Sequence, residues 1–97
     1  MKIIYSPRFE REALRAYAFI AQDKRKAAKE FFGKVKAHIE TLTDNPRKGR
    51  LSDDGNRELI HKGYTIPYLV DDESIVILGI FNQNEWIPKY DQETSKQ

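Results

Sequence analysis

The stretch Arg57-Glu-Leu-Ile-His-Lys-Gly-Tyr64-Thr-Ile-Pro-Tyr68-Leu-Val70 decides the fold, because here the pattern of apolar residues changes to a period of two. Tyr64, Ile66, Tyr68 and Val70 fall on one side of an extended chain, and Thr65, Pro67 and Leu69 on the other. With the run that starts at Arg57 and the run 74–81, which follows the acidic turn Asp71-Asp72-Glu73, this predicts a three-strand meander. Pro67 has no N–H for a ladder, so its strand is expected to be at an edge or bulged there. In the last strand Ile75, Ile77 and Phe81 read to one face and Val76, Leu78 and Ile80 to the other. Both faces are apolar. One layer of helices covers one of them, so the second needs the Trp86-Ile87 segment, another copy of the chain or a partner protein.

Upstream of the meander the period is helical. Lys2-Ile-Ile-Tyr5 reads as a short strand, ended by Ser6 as helix N-cap and Pro7 at the first helical position. Phe9, Ala13, Ala16, Tyr17 and Ile20 then recur at three- and four-residue spacing to about Ala21. Asp23 is the expected cap of a second helix, whose stripe is Ala28, Phe32, Val35, Ile39 and Leu42, widened by Phe31 and stopped at Asp44-Asn45-Pro46. Gly33 inside it suggests a close helix approach. So short a connection makes the helices an antiparallel hairpin lying on the sheet. The expected fold class is α+β, β-α-α-β-β-β, with a small, mainly antiparallel sheet. A single domain is expected over residues 1–90, and 91–97 as a polar tail.

The chain has 97 residues and no cysteine, which excludes a disulfide framework and thiolate zinc sites. Nothing at the N-terminus reads as a signal peptide, and no apolar run is long enough to span a bilayer, so a soluble cytoplasmic protein without membrane contact is expected. The net charge of +2 hides an asymmetry: residues 1–50 carry thirteen Lys and Arg against six Asp and Glu (+7), and residues 51–97 carry four against nine (−5). The basic half is suited to attracting phosphates at long range, and the loop and hairpin to gripping a polyanion or a large partner.

Between helices and meander lies Asn45-Pro-Arg-Lys-Gly-Arg50. Taken in order, Ser6-Pro7, Ala27-Ala28 with Phe31, Asn45-Pro46 with Gly49-Arg50, Gly55-Asn-Arg57-Glu-Leu59, Gly63-Tyr64-Thr-Ile-Pro-Tyr68 and Ile75-Val-Ile-Leu78 resemble the landmarks of the RelE/ParE superfamily of bacterial type II toxins over residues 3 to about 86. The resemblance implies a growth-inhibiting toxin of a toxin-antitoxin or plasmid-stabilisation system, neutralised by a cognate antitoxin that lays a helix across it and adds a strand to an edge. Two target classes are implied. ParE-like members poison DNA gyrase and need no hydrolytic group, whereas RelE-like members are endoribonucleases that cut mRNA on the ribosome. A degenerate, non-toxic binding module is a third reading.

The chain keeps Arg47, Lys48, Arg50, Arg57 and Lys62 as candidates for target or phosphate contact. Arg57 and His61 are the candidate catalytic pair if the protein is a nuclease. Many relatives place further cations where this chain has Leu69, Gly79 and Asn82, and Glu85 opposes phosphate. The ParE-like reading is therefore preferred. Ile75, Ile77, Phe81 and Trp86 are the expected antitoxin contacts. Tyr64 and Tyr68 are set to pack against the helices or to stack on a base. His38 reads as a boundary residue of the second helix, and two isolated histidines provide no metal site. No cofactor is expected.

Overall fold

Ser6 and Pro7 start the first helix as their residue types dictate. In the computed structural model, which describes residues 1–82, strand β1 (Lys2–Tyr5) gives way at Ser6 to helix α1 (Pro7–Ala21). The Ser6 hydroxyl accepts the Phe9 N–H at 3.0 Å and donates to the Leu78 carbonyl at 3.1 Å, so the same side chain caps the helix and ties it to the sheet. Helix α2 (Arg25–Glu40) follows, then a 3₁₀ turn (Thr41–Thr43) and strands β2 (Arg50–Leu51), β3 (Arg57–His61), β4 (Tyr64–Val70), β5 (Ser74–Ile77) and β6 (Phe81–Asn82). No helix among the described residues is long and apolar enough to cross a membrane.

Two expectations about α2 are corrected. Its N-cap is Lys24, with no side-chain hydrogen bond, and not Asp23. Gly33 is exposed and a Cβ there would meet nothing, so it mediates no close helix approach. The apolar stripe is as expected: Ala28, Val35 and Ile39 are buried, and Leu42 continues into the core from the 3₁₀ turn.

The sheet has the order β1-β5-β4-β3-β2, with β6 pairing β4 beyond β5. β3, β4 and β5 form the antiparallel meander, and β1 runs parallel to β5 at one edge, which makes the sheet mixed. The two-residue β2, antiparallel to β3, was not anticipated. Its residues alone carry no periodic signal.

The last predicted strand is interrupted. Tyr68 pairs with Ile77 and Thr65 with Phe81, so three residues, 78–80, stand opposite two, Ile66 and Pro67. This is a bulge, placed where Pro67 offers no N–H, while its carbonyl still accepts the Leu78 N–H at 2.8 Å. The extra residue changes the side-chain phase. Ile75, Ile77 and Ile80 all enter the core under the helices, whereas Phe81 shares a face with Thr65 and Ile60 on the opposite side of the sheet.

The main core lies between that inner face and the helices. Ile39, Leu42, Ile66, Tyr68, Ile75 and Ile77 are fully buried there, and burying such a side chain contributes roughly 1.5–3 kcal/mol. On the outer face, which the helices leave uncovered, Ile4, Ile60 and Leu69 are 42, 38 and 44% exposed. Trp86 and the expected domain boundary at residue 90 lie outside the described residues.

Candidate functional site

The basic loop is shaped from beneath, through main-chain groups. Tyr68 projects from β4 into the core, where its hydroxyl accepts the Gly49 N–H at 2.8 Å and donates to the Pro46 carbonyl at 2.7 Å. Arg57, opposite Tyr68 in the β3–β4 register, donates through Nη1 to the Gly49 carbonyl at 2.8 Å and the Arg47 carbonyl at 3.3 Å. Both backbone groups of Gly49 are thus held by side chains of the sheet. A Cβ at Gly49 would lie 2.6 Å from the Glu58 carbonyl oxygen and 2.7 Å from the Tyr68 ring, so only glycine fits. Burial raises the Tyr68 phenol above its ordinary pKa against the lowering effects of the Gly49 N–H and Arg57, so it remains a neutral donor.

The candidate cations divide on this frame. Arg57 is a half-exposed brace of the loop, engaged with it through Nη1. Arg50 pairs with Glu58 across β2 and β3 at 3.0 Å. Lys48 Nζ donates to Thr41 Oγ1 at 3.1 Å, and that hydroxyl donates to the His38 carbonyl at 2.6 Å. Arg47 and Lys62 are exposed. Lys62 occupies the left-handed region (φ 47°) with Gly63 (φ 85°) in the two-residue turn between β3 and β4. The register places Arg50, with Glu58, on the outer face and Arg57 on the inner face, so these two cations do not share one side of the sheet.

The histidines are brought together, contrary to the expectation that they are isolated. His61 shares the inner face of β3 with Arg57 and Leu59, and His38 is on the last turn of α2. Their Nδ1 atoms are 2.9 Å apart. Phe31 presents an edge to the His61 ring at 5.5 Å and also packs on Tyr64, which assigns Tyr64 to the packing alternative. Burial lowers both imidazole pKa values; Lys48 adds to the effect at His38, and His38, Lys62 and Lys34 add to it at His61. Among the described residues no three His, Cys, Asp or Glu side chains cluster to hold a metal ion. The pairing had a sequence signal that was missed: His38 directly precedes the buried Ile39, and His61 is two residues from buried Leu59, so both sit at the inner boundary.

Among the described residues two apolar surfaces are partly exposed. The outer sheet face carries Ile4, Val76, Leu69, Pro67, Ile60 and Phe81. Ile75 and Ile77, expected as antitoxin contacts, are removed from this surface because their strand phase turns them into the core, where both are 0% exposed. On the helix side, a cleft of about 540 Å³ runs between α1 and α2, floored by Tyr5, Phe9, Val35 and Ile39 and rimmed by Glu10 and Lys36.

A helical hairpin on a mixed sheet, with a basic loop braced by a strand arginine and a buried tyrosine, places the molecule in the RelE/ParE superfamily of small α+β proteins. Within it the chain belongs to the ParE toxins of type II toxin-antitoxin systems (parDE), whose family model matches residues 3–85. A similar solved structure, described as the chromosomal ParDE system from P. aeruginosa, is 18% identical, covers 84% of this chain and 95% of its own, and superposes with a TM-score of 0.75. That likeness concerns the fold. No curated protein matches the chain.

Proposed function

We propose that this ParE-family toxin inhibits growth by binding DNA gyrase, without a hydrolytic step of its own, and that a cognate antitoxin neutralises it. The observation that carries this reading is the engagement of the candidate catalytic groups in internal contacts. Arg57 Nη1 is committed to the Arg47 and Gly49 carbonyls, and His61 to His38, with its Nε2 buried and without a partner among the described residues. Ribonucleolysis requires a base and an acid within reach of the 2′- and 5′-oxygens together with unengaged cations for the phosphate. At the positions where nuclease relatives place further cations, Leu69 presents an apolar side chain on the outer face and Gly79 packs on Glu12. Arg47, Lys48 and Lys62 on the exposed rim are the proposed contacts to the target.

For the antitoxin, family membership and the partly exposed outer sheet face of the described residues support the same partner. Ile4, Ile60 and Leu69 are its proposed contacts there, and the α1–α2 cleft takes the apolar side of a helix. Residues 7–40 carry nine Lys and Arg against five Asp and Glu (+4), which favours an acidic antitoxin segment. Purified protein should inhibit gyrase supercoiling and trap cleaved DNA complexes, and Leu69→Asp should abolish antitoxin binding while the variant still folds. Untouched gyrase together with cleavage of ribosome-bound mRNA would transfer the protein to the nuclease branch. Healthy cells on unopposed expression would make it a non-toxic binding module.

A further inference from the structure

The two histidines of the chain join the last turn of α2 to the end of β3, with Nδ1 atoms 2.9 Å apart and ring centroids 5.1 Å apart. Two nitrogens at that separation need one proton between them, so one ring donates and the other accepts. Because His61 Nε2 is buried without a partner among the described residues, we assign the Nδ1–H to His61. The reverse tautomer would leave a buried N–H with no acceptor, the costlier orphan.

Among the described residues the charges acting on the pair are all positive: Lys34 on α2, Lys48 on the loop and Lys62 at the turn after β3. Phe31 on α2 packs against His61 and Tyr64, and Tyr64, from β4, brings an uncharged phenol. No carboxylate of the described residues is among the groups acting on either ring. Only the C-terminal end of α2 favours a cation, at His38. A first added proton can still be shared between the rings. A second leaves two N–H groups facing each other at 2.9 Å, so the pair titrates as one coupled unit.

We propose that His38 and His61 form a proton-sensitive latch that fastens the end of α2, and through it the basic loop, to β3 and opens when both rings are protonated. The connection to the loop is on the same helix end, where Lys48 donates to Thr41 and Thr41 to the His38 carbonyl. Opening therefore displaces Lys48. This inference does not depend on the identity of the target.

Unfolded histidine accepts its proton near pH 6.5, whereas burial holds both native rings lower. The latch's stabilisation is thus complete above the unfolded value and is lost as pH falls towards the native ones. The test uses the purified full chain, its His38→Gln and His61→Gln variants, long-range ¹H–¹⁵N spectra of the rings, and denaturant unfolding at each pH. The wild-type rings should titrate together in two coupled steps, with the Lys48 amide moving in concert. The wild-type folded-to-unfolded ratio should fall more steeply between roughly pH 7.5 and 5 than that of either variant. Independent titration of the two rings at the ordinary value, an unmoved Lys48 amide, or equal pH slopes in wild type and variants would overturn the proposal. If neither variant folds, the wild-type ring spectra decide alone.

Discussion

Removing one oxygen atom tests whether the basic loop is held from within. Tyr68→Phe leaves the ring in the core and deletes the hydroxyl that binds Gly49 N–H and the Pro46 carbonyl. The first bond is buried and the second partly so, and the Gly49 amide is left without an acceptor. An orphaned buried donor costs about 1–3 kcal/mol, and the second bond adds a net 0.5–1.5, so the expected loss is about 2–4 kcal/mol. At about 4–8 °C per kcal/mol for a domain of this size, the melting temperature should drop by about 8–32 °C. Urea unfolding is the quantitative assay: the midpoint should fall while the slope m stays constant. Arg57→Gln removes the hold on the other side of Gly49, and the double variant should show coupling of about 0.5–2 kcal/mol, because both residues act on one peptide. A loss below about 0.5 kcal/mol for Tyr68→Phe, at unchanged m, would mean that water replaces the hydroxyl, and the reasoning would be refuted.

Gly49→Ala should destabilise by about 2–4 kcal/mol in the same assay, since the new methyl meets the Glu58 carbonyl and the Tyr68 ring and neither can yield without breaking the brace. Glu12 accepts the Ile80 N–H at 2.9 Å as well as pairing with Arg8 at 3.1 Å. Glu12→Ala should therefore cost about 1–3 kcal/mol by thermal melting, and Glu12→Gln, which keeps an acceptor oxygen, clearly less. Gly79→Ala puts a methyl 2.5 Å from that carboxylate, whose flexible end can swing away, so about 1–2 kcal/mol should be lost through the surrendered Ile80 contact. Arg50→Ala breaks an exposed ion pair and should change stability by less than about 1 kcal/mol, with any effect shrinking at high salt.

The fold was legible because its signals are periodic and local. The Ser6 cap, the stripe from Ala28 to Leu42 and the alternation from Tyr64 to Val70 each reflect burial of one side of an element, and residue order alone reveals such burial. What failed was phase. A single extra residue opposite Pro67 moved Ile80 into the core and Phe81 out of it, and no alternation count registers a bulge, although the proline pointed to its place. Ile75 and Ile77, expected as antitoxin contacts, precede the bulge and lie in the core. In the candidate site, the contacts that Arg57 and His61 make with the Gly49 carbonyl and His38 were not legible. Those partners lie 8 and 23 positions away, distances across which sequence carries no periodic trace.

The clamp on Gly49 also bears on how such a protein diverges. Tyr68 and Arg57 grip the loop by the main-chain atoms of Pro46, Arg47 and Gly49, so the fold places no demand on the side chain of Arg47. That position can be exchanged for other residues while the peptide path stays fixed. A lineage can thus change the charge the loop presents by a single codon substitution, provided that glycine, tyrosine and arginine are inherited together.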